Sequence, residues 1–358
     1  PHQFKVDLQR IASLRPADVQ AALQRWIGRP VYALTITPGE RTEKGETMGG
    51  WGDEATATPP RPDAKKPAPK LATGPKREFP PVAPVGDLEF PKAERATLSN
   101  GVPVVLARRT GVPTVLVHVS FDAGFAADAQ DAPGTQRLLL DVLDEGTESR
   151  DATQIAEDQE RLGARISTGT GIDSSTVTLA ALSANLAPSL DLLADVVRRP
   201  AFREGDVSRA RDQQLAGIAQ SEASPSAMAN RRLNPILFGP AHPYGQPGDG
   251  LGNAAAVKGM TPATLRTAHA KWLRPDTMTI TVVGDITMAE LKPMLEHSFG
   301  TWQAPATPRP VKALDAPIPA PRPRIVLIDR PNSPQSVIVA GRVLPMTGRD
   351  QGMESLDL

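Results

Sequence analysis

Histidine, cysteine and paired carboxylates most often carry metal or nucleophile chemistry, and this chain uses them sparingly. It has no cysteine, which removes disulfide frameworks, thiolate-bound metal and thiol nucleophiles together. Its five histidines are His2, His118, His242, His269 and His297. No two stand three or four residues apart, so no pair shares a helical face that could grip one ion. His118 falls in an alternating apolar run and reads as structural. His242 falls in a Pro/Gly loop and reads as a turn residue, while Glu204 and Glu222 read as carboxylates on helix surfaces. No Gly-x-Gly-x-x-Gly, P-loop or Gly-x-Ser-x-Gly is present. In the helix-like run 134–145, Arg137 and Asp141 stand four apart on one face. They can form an ion pair, either desolvated and structural or solvated and weak.

The rest of the chain must position whatever these residues do. Basic and acidic residues number 40 each and aromatics are 4%, so composition offers no case for a nucleic-acid partner. No run approaches 18 apolar residues, so no membrane span is predicted. The first residues, Pro1-His2-Gln3-Phe4, have neither a start methionine nor an apolar signal core. A processed chain, or a piece of a longer one, is expected. Prolines number 37, about twice the usual frequency, and crowd into 58–91 and 305–323. The stretch between them, about 210 residues, can bury a sizeable core.

Periodicity predicts a helix and then a strand at 31–37 in the first 40 residues. An Asn100-Gly101 hairpin follows, with a strand at 114–121, helices at 134–145 and 151–162, and a strand at 174–182. Helices near 186–199, 204–221, 226–238, 261–272 and 287–298 are predicted, with a strand at 277–283. Two further strand-like runs lie at 324–329 and 336–340. Mixed strands and helices of this order suggest an α+β fold with a mainly antiparallel sheet and helices on one face. One internal repeat stands out. Leu14-x-Pro16-Ala17-x-Val19-x-x-Ala22-x-x-Arg25-Trp26-Ile27 matches Met260-x-Pro262-Ala263-x-Leu265-x-x-Ala268-x-x-Lys271-Trp272-Leu273, 246 positions on.

These residues resemble the pitrilysin/insulinase-type M16 metallopeptidases. The resemblance rests on the hairpin Leu98-Ser99-Asn100-Gly101-Val102, on Asp122-Ala123-Gly124, and on the run from Gly134 to Gly146-Thr147. It continues in His242-Pro243-Tyr244-Gly245, in Trp272-Leu273-x-Pro275 and in Val282-Val283-Gly284-Asp285. It covers about 93–302, in the family's order. It implies five segments: 1–45 closing a preceding M16-like domain, a linker at 46–92, an M16-like half-domain at 93–302, a Pro-rich linker at 303–323, and the start of a further half-domain at 324–358.

Active members carry His-x-x-Glu-His on the helix after the glycine. Two histidines one turn apart bind zinc, the glutamate activates water, and a glutamate well downstream completes the site. Carried over, the two histidine positions hold Arg137 and Asp141, the general-base position holds Leu140, and the downstream ligand falls near Gly217. The resemblance therefore implies no catalytic, metal or cofactor residue in this chain. Zinc is expected in a catalytic M16 partner domain, in the same parent chain or a partner subunit, acting on a peptide or unfolded protein. A structural scaffold without peptidase activity is the alternative. The family's substrate-gripping Arg/Tyr pair would lie beyond residue 358, and bacterial two-domain members are often periplasmic or otherwise exported.

Overall fold

The computed structural model describes residues 2–35, 91–330, 336–344, 346 and 350. The chain divides into two units, Pro1–Arg77 and Glu78–Leu358. In the first, α1 (His2–Ser13) and α2 (Pro16–Ile27) follow one another. Pro16 begins α2, where its missing N–H would have no partner anyway. Asp18 accepts the Arg15 backbone N–H at 2.9 Å and closes the N-terminal turn. The strand predicted at 31–37 does not form over its described part, 31–35. A strand needs a neighbour to satisfy its N–H and C=O groups, and the described residues of this unit offer none. Most of the segment predicted as the 46–92 linker lies outside the described residues.

Among its described residues the second unit has six strands: β1 (Ala93–Thr97), β2 (Pro103–Arg108), β3 (Thr114–Phe121), β4 (Arg165–Thr170), β5 (Ser175–Leu182) and β6 (Met278–Gly284). Their order is β1-β2-β6-β3-β5-β4, with β2–β6 the single parallel pair among them. The Asn100-Gly101 turn closes the first hairpin. Gly101 sits at φ 90°, where an L side chain is strained, and its N–H reaches the Leu98 carbonyl at 2.9 Å. Leu106, Val117, Val119, Leu179, Ile280 and Val282 are fully buried on one face, as period-two alternation requires.

Helices α3 (Thr135–Val142), α4 (Ala152–Leu162), α5 (Leu186–Arg198) and α10 (Met288–Leu295) pack on the sheet; α6 (Glu204–Ala223) and α9 (Pro262–Trp272) pack on α3, and α7 (Pro225–Phe238) and α8 (Ala254–Lys258) on α6. The fold is α+β, as the sequence predicts. Asp151 caps α4, and Gly163 ends it in the left-handed region at φ 61°. Neither β4 nor α8 is visible in the sequence. The runs 324–329 and 336–340 form no strand, again for want of a ladder partner among the described residues.

Residues 303–316 carry only turns, yet they are held down. The buried Arg274 guanidinium donates to the carbonyls of Pro305, Thr307 and Pro308 at 3.4, 2.9 and 3.2 Å. The Lys312 ammonium pairs with Asp122 at 2.7 Å and donates to the Asp173 carbonyl at 2.6 Å.

Candidate functional site on helix α3

Helix α3 starts where its first amides are taken by a side chain. Asp128 Oδ2 accepts the Gly134 N–H at 2.7 Å, and Oδ1 accepts the Gln136 N–H at 2.8 Å. Burial pushes the Asp128 carboxyl up to about 7, against the opposing pull of those amides. Gly134 sits at φ 97°, and an added Cβ would stand 2.6 Å from the Leu251 carbonyl oxygen. Ser175 Oγ donates to the buried Gln136 Oε1 at 3.1 Å and ties the helix to the start of β5. Leu138, Leu139, Leu140 and Leu143 are all fully buried, so three sides of this short segment face the core.

The remaining side carries Arg137 and Asp141. Arg137 Nε donates to Asp141 Oδ2 at 2.8 Å, with 42% and 38% of the two side chains exposed. Further on, Asp144 has its carboxyl pushed up by burial, reinforced by the neighbouring charges of Glu145 and Asp141. Gly217 lies on α6, which packs against α3. One turn before it, the buried Gln214 donates to the carbonyls of Gly134 and Leu251 at 3.1 and 2.9 Å. Its own Oε1 has no partner among the described residues.

The four predicted positions thus fall on two packed helices, α3 and α6. As a donor set they do not fit a zinc ion. A guanidinium repels a dication, leucine and glycine offer no ligand atom, and the carboxylate of Asp141 is already shared with Arg137. The unpartnered Gln214 oxygen adds one neutral acceptor, too little to replace two imidazoles and a glutamate.

Behind α3, the run Gly146-Thr147 is held by a network the sequence does not announce. Asp195, 1% exposed, accepts from Thr147 Oγ1 at 2.8 Å, Ser149 Oγ at 2.9 Å and Arg150 Nη1 at 2.6 Å. Arg199 joins through Nε at 2.8 Å. Burial raises the Asp195 carboxyl, but the two hydroxyls and the guanidinium charges outweigh it and hold it below the usual range. His242, also buried, accepts the Tyr244 N–H on Nδ1 at 3.0 Å and so shapes its turn. His118 sits beside Thr178 Oγ1 at 3.0 Å on the opposite face of the sheet from the helices.

Helix α3 also packs against β4, which among the described residues is an edge strand bonded only to β5. The Ile166 N–H donates to Gln159 Oε1 at 2.7 Å and therefore points away from β5. By alternation, the N–H groups of Thr168 and Thr170 point the same way.

The family model described as Insulinase (Peptidase family M16) matches residues 103–242, and that described as Peptidase M16 inactive domain matches 259–357. An uncharacterised zinc protease of Mycobacterium leprae is 27% identical over 207 residues, covering 58% of this chain and 46% of that protein. The chain spans about half the length of the curated relatives it matches. Among solved structures, a peptidase M16 inactive domain from Pseudomonas fluorescens superposes with a TM-score of 0.56 at 28% identity, covering 60% of this chain and 53% of that one. A protease from Helicobacter pylori superposes at 0.58 with 20% identity, covering 63% and 54%, and shares the fold.

Proposed function

Because the chain belongs to the insulinase-type M16 peptidase family, we propose that its half-domain 93–302 is the non-catalytic part of a zinc peptidase assembly. It forms chamber wall and substrate-contact surface opposite a zinc-bearing M16 domain, in the same parent chain or a partner subunit. The observation that carries this reading is the donor set Arg137, Leu140, Asp141 and Gly217. It offers neither a zinc cradle nor, at the buried Leu140, a base to activate water. Zinc held by the partner domain would supply the activated water, and no residue of this chain takes part in that step.

What this chain contributes is an edge. The outward N–H groups of Thr168 and Thr170 on β4 suit an extended peptide or unfolded protein segment added as a further strand. The same reading places the parent protein in the periplasm or otherwise outside the cytoplasm, which fractionation of the source cells tests. Among the described residues no helix is long and apolar enough to cross a membrane.

The experiment mixes the purified chain with the zinc-bearing M16 domain of the same source and reduced casein. The chain alone, with zinc added, leaves casein intact. Added to the catalytic domain it raises kcat/KM, and Thr168→Pro, which removes one outward N–H without breaking the ladder to β5, loses that gain. Cleavage by the chain alone would overturn the reading.

A further inference from the structure

The internal repeat is longer in three dimensions than in the sequence motif. Aligned on Pro16 and Pro262, the end of α1 falls on α8 and the whole of α9 falls within α2. Both second helices open with a proline and a residue-three cap, Asp18 in one and Thr264 in the other. Both close with a cation over a tryptophan. Arg25 lies 5.6 Å from the Trp26 ring and Lys271 lies 5.3 Å from that of Trp272.

The two copies differ in one respect. Val257, Met260, Leu265, Trp272 and Leu273 are buried in the second unit, none more than 5% exposed. Their counterparts Ile11, Leu14, Val19, Trp26 and Ile27 are 48–70% exposed. The seat that buries the first set is established within the chain: α8 packs on α6 and α9 on α3. Arg211 donates to the Met260 carbonyl at 2.9 Å, and His269 Nε2 meets the Val197 carbonyl at 2.8 Å.

We propose that α1 and α2 are the closing pair of another half-domain of this same fold, and that their apolar face seats between two helices equivalent to α3 and α6. The partner is thus a helix-covered sheet lacking its own α8–α9 pair. Leu23 stands where His269 meets the Val197 carbonyl, so the partner's seat is apolar at that point. Five large apolar side chains repeat the spacing of five buried anchors, and such a seat explains them where no contact among the described residues of the first unit does.

The test grafts one copy onto the seat of the other in the full chain: residues 254–273 are replaced by residues 8–27. The graft should fold, with a single cooperative thermal transition and amide protection of β3 and β5 like that of the parent. A second graft carries alanine at the positions of Ile11, Leu14, Val19, Trp26 and Ile27. It keeps helix propensity but should lose the cooperative transition. A first graft without that transition, or a second graft that folds as well as the first, would overturn the proposal. Folding alone is read out, so the outcome is independent of the metal-site reading.

Discussion

Arg137 and Asp141 meet at 2.8 Å across one turn of α3, each with about two fifths of its side chain in solvent. The pair therefore lies on the open side of the helix and does not plug a closed metal pocket. With the basic residue on the N-terminal side, the less favourable order, it should contribute about 0.2–0.5 kcal/mol. A double-mutant cycle on Arg137→Ala and Asp141→Ala, read by urea unfolding, measures the coupling. A coupling of several kcal/mol would mean that the pair had become a structural substitute for metal.

Gly217 carries no backbone reason to be glycine. An added Cβ would stand 3.6 Å from a Leu251 methyl carbon, an ordinary contact, within a continuous helix. Gly217→Ala should stabilise the protein by about 0.5–1 kcal/mol. Gly134→Ala should destabilise it, because φ is 97° and the Leu251 carbonyl oxygen is 2.6 Å from the new Cβ. Thermal unfolding of the two variants should shift in opposite directions.

The Asp195 network ties the run after α3 to α5. Asp195→Ala removes a buried acceptor from two hydroxyls and two guanidiniums and should cost about 3–5 kcal/mol. Its carboxyl titrates lower folded than unfolded, so its contribution is fully present above the unfolded value of about 3.9 and is lost as pH falls through the folded one. Stability measured from pH 6 downward should therefore fall more steeply in the wild type than in Asp195→Asn. Parallel curves would reject the assignment.

Lys312→Met keeps the length of the side chain but removes one of the two cations at Asp122, leaving Arg309 at 3.1 Å, and takes the cation from the Asp173 carbonyl. Amides at 311–316 should then exchange faster, with those of β3 unchanged. Unchanged exchange at 311–316 would show that Lys312 does not hold the segment down, its other contacts being Arg309 with Asp122 and His242 with the Leu314 carbonyl.

Much of this fold is legible in the sequence where local signals are strong. Asn100-Gly101 announces a hairpin, and Val115, Val117 and Val119 announce a half-buried strand. Asp151 and Gly163 bracket α4. β4 escapes because Ile166 is its single large apolar residue: an edge strand beside α3 needs little burial, so its pattern is mostly polar. The strands read at 31–37, 324–329 and 336–340 have the alternation, but their described parts have no neighbour among the described residues, and a ladder is a property of two segments. The parallel pairing of β2 with β6 joins residues far apart in sequence and leaves no local trace. At the candidate site, the positions Arg137, Leu140, Asp141 and Gly217 come from the resemblance. That Leu140 is buried while Arg137 and Asp141 are half open comes from packing.

The most direct test of the central claim is metal analysis of the purified chain after chelator treatment, zinc readdition and gel filtration. A donor set of one arginine-paired carboxylate, a leucine and a glycine should retain no stoichiometric zinc, and the thermal midpoint should be the same with and without the metal. One tightly held zinc per chain, with a midpoint raised by zinc and lowered by chelator, would contradict the account.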